Sequence, residues 1–502
     1  MVDEVTRRCG ALILLGWVLG TIRCGYRSPS RVVSPTFSFM PKIVIIGAGS
    51  LVFSSRLQAD ILSFENLRHA HFCLVDIDEE RLSYAQRITG RLLKTGGYTE
   101  ATFEATTDRR RVLEGADYVI SSLLVGGYQA IEAEIDIAKR YGVDQCIGDT
   151  LTPGGIMRCL RTLPHQVGIA QDMMELCPEA ILLNYTNPMS MLCWGMYRAA
   201  PGIQLVGLCH SVQGTSQQWA KRLEIDLEDT DWLCAGINHQ AWFYKFEKDG
   251  MDLLPRIREL AIEAKIWKGD TVRMEMVKHF GYPVTESSGH GSEYTPWWRK
   301  RPELIEQYCP GGGWNGGSGF IKELYARPEW KDEMEELASG ERPIDLNRSS
   351  EYGSGIIHAA EGGEPVVIHG NVENRGMIDN LPQDSCVEGP IFVDGNGLQP
   401  IKVGEIPMAH AAINQTQINV QRLAVEAALT RDPERIFQAF AMDPLTSACL
   451  TLDEIRSMSR EIMEAQRFCL PEWDGIEIAE KPVLVGVKSD EIESHEDPGG
   501  AN

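Results

Sequence analysis

The 502-residue sequence predicts an α/β protein, with a parallel sheet over residues 40–230 followed by an α+β part over residues 231–488. Three observations point there. Ile43 to Ile46 is a continuous apolar, β-branched run suited to a strand buried on both faces, and a glycine turn and a helical pattern through Leu62 follow it. Further apolar runs at His71–Asp76, Ala116–Leu124, Ala180–Leu183 and Gln204–Leu208 each end in an acidic, glycine-rich or polar cluster. Beyond them Trp232 to Lys248 alternates apolar and polar residues as antiparallel strands do, with Asp249-Gly250 as a turn signal.

Composition narrows the function classes. With 43% hydrophobic and 24% charged residues the chain is neither disordered nor fibrous. Its net charge of -23 argues against a surface that holds phosphate backbones, so nucleic acid is not an expected partner. Thirteen cysteines are scattered without a CxxC pair, which reads as small buried hydrophobes in a reducing, cytoplasmic setting rather than a disulfide framework. Residues 1–39 carry five arginines against Asp3 and Glu4, so the remainder is more acidic than the whole. Within them Gly10–Ile22 is apolar but shorter than the roughly 20 residues of a membrane span, and Arg23 and Arg27 stand where a cleavage site needs small residues. The expectation is that Met40 is the working start, that residues 1–39 lie outside the fold, and that no membrane is involved. Ser489 to Asn502, with five acids and no Lys or Arg, reads as a solvated, disordered tail.

The first strand runs into Gly47-Ala-Gly49-Ser50, and the second ends in Val75-Asp76. A buried strand, a glycine turn opening a helix, and an acid at the end of the next strand make a dinucleotide-binding fingerprint. The glycines let the backbone approach the pyrophosphate, and the acid takes the ribose hydroxyls. Gly47, Gly49, Ser50 and Asp76 are therefore the candidate cofactor residues of a Rossmann-like domain, although Val52 stands where a third glycine is usual. The strand ending in Val125-Gly126-Gly127 leads to a helix from Tyr128 to Tyr141. The next two strands end in Asn184-Tyr-Thr-Asn187-Pro188 and Cys209-His210-Ser211. Carboxyl ends of strands in such a sheet line the ligand crevice, so these clusters are candidate site residues.

Cys209 and His239 could bind a divalent ion through a thiolate and an imidazole, leaving an open, substrate-completed shell; the alternative is two packed side chains. Asn187, at a strand's carboxyl end, suits hydrogen bonds to a ligand or, equally, an Asx turn before Pro188. Phe280 to Trp297 is dense in acid–base groups and is expected to be a substrate-facing loop. Ile413 to Thr430 shows helical spacing, read as core or subunit packing.

Gly47-Ala-Gly-Ser-Leu-Val-Phe53, Asp149-Thr-Leu-Thr-Pro-Gly-Gly155 with Arg158 and Arg161, Asn184-Tyr-Thr-Asn-Pro-Met189, Gly207-Leu-Cys-His-Ser211, Gly236-Ile-Asn-His239 and Asn380-Leu-Pro382 resemble, in that order, glycoside hydrolase family 4. The resemblance spans about residues 41–485. It implies a lactate/malate dehydrogenase-like NAD domain and a C-terminal substrate domain. It also implies a divalent metal, usually Mn2+, on the positions of Cys209 and His239, and a homodimer or homotetramer. This family departs from two-carboxylate glycosidase chemistry. The implied reaction takes hydride from C3 of the sugar onto NAD, removes the acidified C2 proton, expels the glycosidic oxygen, adds water and returns the hydride.

Among candidate catalytic residues, His210 stands where phospho-glycosidase members carry an Asp acid, and His290 or Tyr294, with Tyr282 behind them, stand for the base. Arg158 and Asn187 are the candidate substrate contacts. Cys-His-Ser-Val and Glu286-Ser-Ser-Gly-His290 look most like the α-galactosidase branch, with α-glucosides or uronides as alternatives. Trp297 and Trp298 could stack on a sugar or pack. A lactate/malate-type dehydrogenase and a silent NAD-binding sugar sensor are the other classes consistent with the residues.

Overall fold

The computed structural model describes residues 40–50 and 53–481. The N-terminal segment 1–39, Val52 at the third glycine position and the acidic tail 489–502 lie outside the described residues. One twelve-stranded sheet organises the rest. Its first six strands are β1 (Lys42–Ile46), β2 (His71–Val75), β3 (Thr102–Thr106), β4 (Tyr118–Ser121), β5 (Ile181–Asn184) and β6 (Gln204–Gly207). They pair in parallel in the order β3-β2-β1-β4-β5-β6 of a dinucleotide-binding sheet. Each apolar run anticipated from sequence forms a strand: β1 begins one residue earlier, β5 is shifted by one residue, and β2, β4 and β6 are shortened where the chain turns to its polar cluster. The edge strand β3 carries no apolar run, because only one of its five residues is buried.

Beyond β6 the same sheet continues antiparallel through β7 (Thr230–Ile237), β8 (Gln240–Lys248), β9 (Met251–Asp252), β10 (Val366–Glu373), β11 (Cys386–Asp394) and β12 (Gly397–Pro400). The sheet order runs β6-β10-β11-β7-β8-β9, with β12 on β11. Asp249-Gly250 makes the anticipated turn, both residues at positive φ. A second tight turn at Asn238-His239 divides the Trp232–Lys248 stretch into a hairpin.

Helices cover the faces. Gly127–Tyr141 and Thr152–Leu176 are tied together by a fully buried, bidentate pair, Arg161 Nη1 to Glu134 Oε2 at 2.7 Å and Nη2 to Oε1 at 3.1 Å. Arg161 is thus a structural residue. The helix anticipated from Ile413 begins earlier, at Met408, and runs to Thr430, burying Ile418, Val425 and a row of polar residues that includes His410, Asn414, Gln417 and Gln421. All eleven cysteines among the described residues are free, and eight of them are buried. No helix of the described residues is long and apolar enough to cross a membrane.

Candidate active site

The glycine turn closes β1 onto its neighbours. The N–H groups of Gly47 and Ala48 both donate to the Val75 carbonyl, at 2.9 and 3.0 Å. Gly47 has φ +86°, and a Cβ there would lie 2.0 Å from the Ser122 carbonyl oxygen, so no other residue fits. The Gly49 N–H donates to Asp76 Oδ2 at 2.8 Å, and the Asp78 N–H to Asp76 Oδ1 at 3.0 Å. Each carboxylate oxygen keeps a free lone pair for a hydroxyl.

These residues form one end of a cavity of about 1400 Å³. Gly47, Gly49, Ser50 and Asp76 line that end; Asp149, Arg158 and Asn187 line it elsewhere. The volume exceeds the roughly 300–1,000 Å³ of an ordinary small-molecule pocket and suits a dinucleotide with a sugar beside it. Asp149 is the centre of the polar wall. Its Oδ2 accepts from Asn187 Nδ2 at 3.0 Å and faces Arg158 Nη1 at 3.5 Å, while Oδ1 accepts from Thr150 Oγ1 at 2.8 Å and faces His290 Nε2 at 3.4 Å. Burial acts to raise the Asp149 carboxyl, but His290 and Arg158 outweigh it and hold the group below its ordinary range. Asn187 makes no Asx turn: its amide is committed to Asp149, and its Oδ1 is buried without a partner.

Beside this wall lies a trio of ligand type. Cys209 follows β6, His239 sits on the hairpin turn between β7 and β8, and Glu286 comes from the loop after Val284. The Cys209 Sγ to His239 Nε2 distance is 3.0 Å, and the Glu286 Oε2 to His239 Nε2 distance is 3.5 Å. All three donor atoms lie within 4.8 Å of one another. Sequence reasoning anticipated two ligands; the structure brings a third. His239 and Glu286 both hold left-handed backbone, φ +63° and +79°. For non-glycine residues that conformation costs about 1–3 kcal/mol each and is typical of functional sites.

On the other side of the ring, His239 Nδ1 lies 3.0 Å from the Tyr294 hydroxyl and 3.2 Å from Thr150 Oγ1, which leaves Nε2 to face the trio. Burial would raise the Cys209 thiol and lower the His239 imidazole, but their mutual attraction prevails: the thiol is drawn down and the imidazole up. Glu286, despite burial, is held well below the usual carboxylate range by His239 and His290. A thiolate, an imidazole and a carboxylate converging in this way form a fitting donor set for a borderline divalent ion.

The remaining candidates divide. His290 is buried, with its ring nitrogens facing Asp149 (3.4 Å) and Glu286 (3.7 Å), and those acids raise its pKa against burial and His239. Tyr294 is buried, its hydroxyl is occupied by His239, and burial together with Asp149 and Glu286 pushes its pKa well above the ordinary value. That environment makes it a poor proton acceptor and a good positioning group. His210 stands at the surface as the N-cap of helix Ser211–Arg222, bonded to Glu351, whose carboxylate raises its pKa. Tyr282 packs between Tyr244 and His410, away from the cavity lining. Trp297 stacks on Phe280, and Trp298 is buried against Tyr308, so both serve packing.

The 280–297 stretch is largely a buried segment rather than an open loop. From Thr285 to Trp298 its polar side chains point inward, and Glu293 accepts the N–H groups of Ile147 (2.6 Å) and Gly148 (3.0 Å), which anchors the turn that presents Asp149. Asp149 and Glu286 were both visible in the quoted motifs, yet an isolated acid in a polar loop carries no sign of what it meets in space. Glu388, buried near Cys209, was likewise not anticipated; burial, with the charge of Cys209, pushes its carboxyl up to about 8.

The chain is similar to known proteins over most of its length. The family model described as "Family 4 glycosyl hydrolase" matches residues 42–225, and "Family 4 glycosyl hydrolase C-terminal domain" matches residues 234–446. An alpha-galactosidase of Bacillus subtilis is 40% identical over 86% of this chain and 100% of its own length. One of Rhizobium meliloti is 38% identical over 86% and 89%. An alpha-galacturonidase of Bacillus subtilis is 31% identical over 80% and 93%. Among solved structures, lplD of Bacillus subtilis superposes with a TM-score of 0.75 at 30% identity, covering 84% of this chain and 99% of that one. A 6-phospho-alpha-glucosidase from gut microorganisms, solved in complex with NAD and Mn2+, shares the fold at 20% identity with a TM-score of 0.69 over 88% of this chain and 100% of its own.

Proposed function

Because this chain belongs to glycoside hydrolase family 4, we propose that it is an α-galactosidase working with NAD and a divalent metal, Mn2+ first. The observation that carries the proposal is the convergence of Cys209, His239 and Glu286 beside a cavity that begins at the Gly47–Asp76 turn. The choice of α-galactosides is supported by the two alpha-galactosidases at 40% and 38% identity.

In this reading Gly47, Gly49, Ser50 and Asp76 hold NAD, and Cys209, His239 and Glu286 hold the metal. Bound NAD would supply a reversible hydride acceptor for the sugar, and the metal a Lewis acid for the resulting carbonyl. The chain's own residues position and move protons. Asn187 offers its unpartnered Oδ1 to a sugar hydroxyl, and Arg158 borders the same pocket. Asp149, held ionised between Arg158 and His290, orients Asn187 and His290 at the cavity wall. His290, between two carboxylates, is the candidate base that takes the sugar's proton, and the charge it gains is balanced by Asp149 and Glu286. Tyr294 holds the His239 tautomer rather than abstracting a proton, and His210, at the surface, is the candidate acid for the departing oxygen. The two family matches support treating residues 40–230 as the nucleotide part and 231–488 as the substrate part. A cytoplasmic homodimer or homotetramer is the expected form.

A second reading, α-galacturonides, is favoured by one observation: Arg158 Nη1, ion-paired with Asp149 at 3.5 Å, makes no hydrogen bond and has donor capacity left for a sugar carboxylate. A panel of nitrophenyl α- and β-glycosides and uronides, assayed with NAD, Mn2+ and a thiol reductant, separates the readings. Release from the α-galactoside, abolished by chelator and restored by Mn2+, with no net NADH, is the expected result. Hydrolysis that persists after complete removal of NAD and metal refutes it, and NADH accumulation indicates a dehydrogenase.

A further inference from the structure

Cys209 and His239 extend from β6 and β7, and these strands are not neighbours in the sheet. β10 and β11 lie between them. The long β10–β11 ladder has eight register pairs, but each join to a ligand-bearing strand is a single pair: Asn371 with Gly207 on β6, and Glu388 with Gly236 on β7. Asn371 and Glu388 are themselves register partners. One row, Gly207–Asn371–Glu388–Gly236, therefore crosses four strands, ending two residues before Cys209 and three before His239.

The row is also bonded through side chains. Asn371 Nδ2 donates to Glu388 Oε1 at 3.1 Å and to the Gly207 carbonyl at 3.4 Å. Asn238, next to His239, draws the Glu388 carboxyl down, while its own amide atoms are buried without a hydrogen-bond partner. Asn371 and Glu388 are both 0% exposed, and Asn371 Oδ1 and Glu388 Oε2 have no partner. Buried polar atoms left this way cost about 1–3 kcal/mol each, so packing alone gives no reason to place an amide and a carboxyl there. Gly207 fits the row: a Cβ there would lie 2.6 Å from Met189 Sδ, 2.7 Å from Cys193 Sγ and 3.0 Å from the Asn371 Cβ, so there is no room for a side chain where β6 meets β10.

We propose that Asn371 and Glu388 are positioning residues that set the separation of Cys209 and His239, and so preorganise the metal site without ligating the ion. This rests on the metal reading given above. The test is calorimetric titration of Mn2+ into the NAD-loaded protein. Glu388→Ala is expected to weaken Mn2+ binding about 10-fold or more, the scale of loss when a partner behind a metal ligand is removed. Glu388→Gln keeps the volume and the oxygen that accepts from Asn371, and should bind Mn2+ within about threefold of the unaltered protein. NAD affinity should stay unchanged in both. In a Cys209→Ser background, Glu388→Ala should add no further loss.

Mn2+ binding by Glu388→Ala equal to that of the unaltered protein would overturn the proposal. So would a Gln variant as damaged as Ala, with NAD binding lost alongside, since that marks general destabilisation. If the unaltered protein binds no Mn2+, the metal reading itself fails and this inference with it; if it binds Mn2+ normally and only the Glu388 result is flat, the metal reading stands and this inference alone falls.

Discussion

Replacing Gly49 with alanine tests whether the glycine turn is the cofactor seat. The added Cβ would lie 2.4 Å from the Arg81 Cβ and 2.7 Å from Asp76 Oδ2. The Arg81 Cβ is fixed to the first turn of helix Glu79–Gly96 and cannot swing aside as a long side chain's tip would. The turn must therefore move, and the 2.8 Å bond from the Gly49 N–H to Asp76 is stretched with it. Overpacking of this kind costs typically about 1–3 kcal/mol. If about 2 kcal/mol of that strain must be met again each time the turn is drawn into its bound geometry, NAD affinity falls about 30-fold. NAD binding by calorimetry on Gly49→Ala, with Mn2+ binding as an internal control, measures this. A loss confined to NAD fits the reasoning; NAD affinity within twofold of the unaltered protein refutes it.

Tyr294→Phe removes the hydroxyl that faces His239 Nδ1 and should weaken Mn2+ binding about 10-fold; a fall in kcat of about 100-fold or more with metal affinity intact would instead make Tyr294 the base. Asp443, buried at the N-terminus of helix Pro444–Cys449, has its pKa raised to about 6, chiefly by burial. The folded state binds that proton more tightly than the unfolded chain, so the contribution is intact below 3.8 and is lost as pH rises through 6, a swing of about 3 kcal/mol. Asp443→Asn should therefore gain stability relative to the unaltered protein between about pH 4 and pH 8 in urea unfolding, and a pH-independent difference would contradict the assignment.

What sequence reading captured were the features with a local signal. The parallel strands announced themselves because strands buried on both faces are unbroken apolar runs, as in Ile43–Ile46. The glycine turn was legible because φ +86° at Gly47 leaves little choice of residue. Edge strand β3 alternates exposed and half-buried positions and carries no such signal. The long helix Thr152–Leu176 begins in Thr-Pro-Gly-Gly, residues that ordinarily mark a loop, and its buried face is set by tertiary contacts. In the site, Cys209 and His239 were candidates by residue type and gained weight from the resemblance, whereas Glu286 and Asp149 reach their partners across 47 and 141 residues of sequence respectively, and no periodicity encodes such a meeting. Tyr282, Trp297 and Trp298 are aromatic residues in a polar stretch, where packing and ligand contact look alike until the neighbours are known.

The continuity of the sheet bears on how the chain can be cut. A fragment ending near residue 230 would carry the whole six-stranded parallel half but would strip β10 from β6, uncovering the edge of that strand where Gly207 meets Asn371. Exposed edges of this kind recruit other strands, so such a fragment is prone to self-association. The second half, begun at β7, would keep the β10–β11 ladder and its join to β7 but expose the β10 edge that meets β6. Split-gene or domain-exchange designs on this scaffold therefore need their breakpoint in an outer loop that leaves the four-strand junction whole.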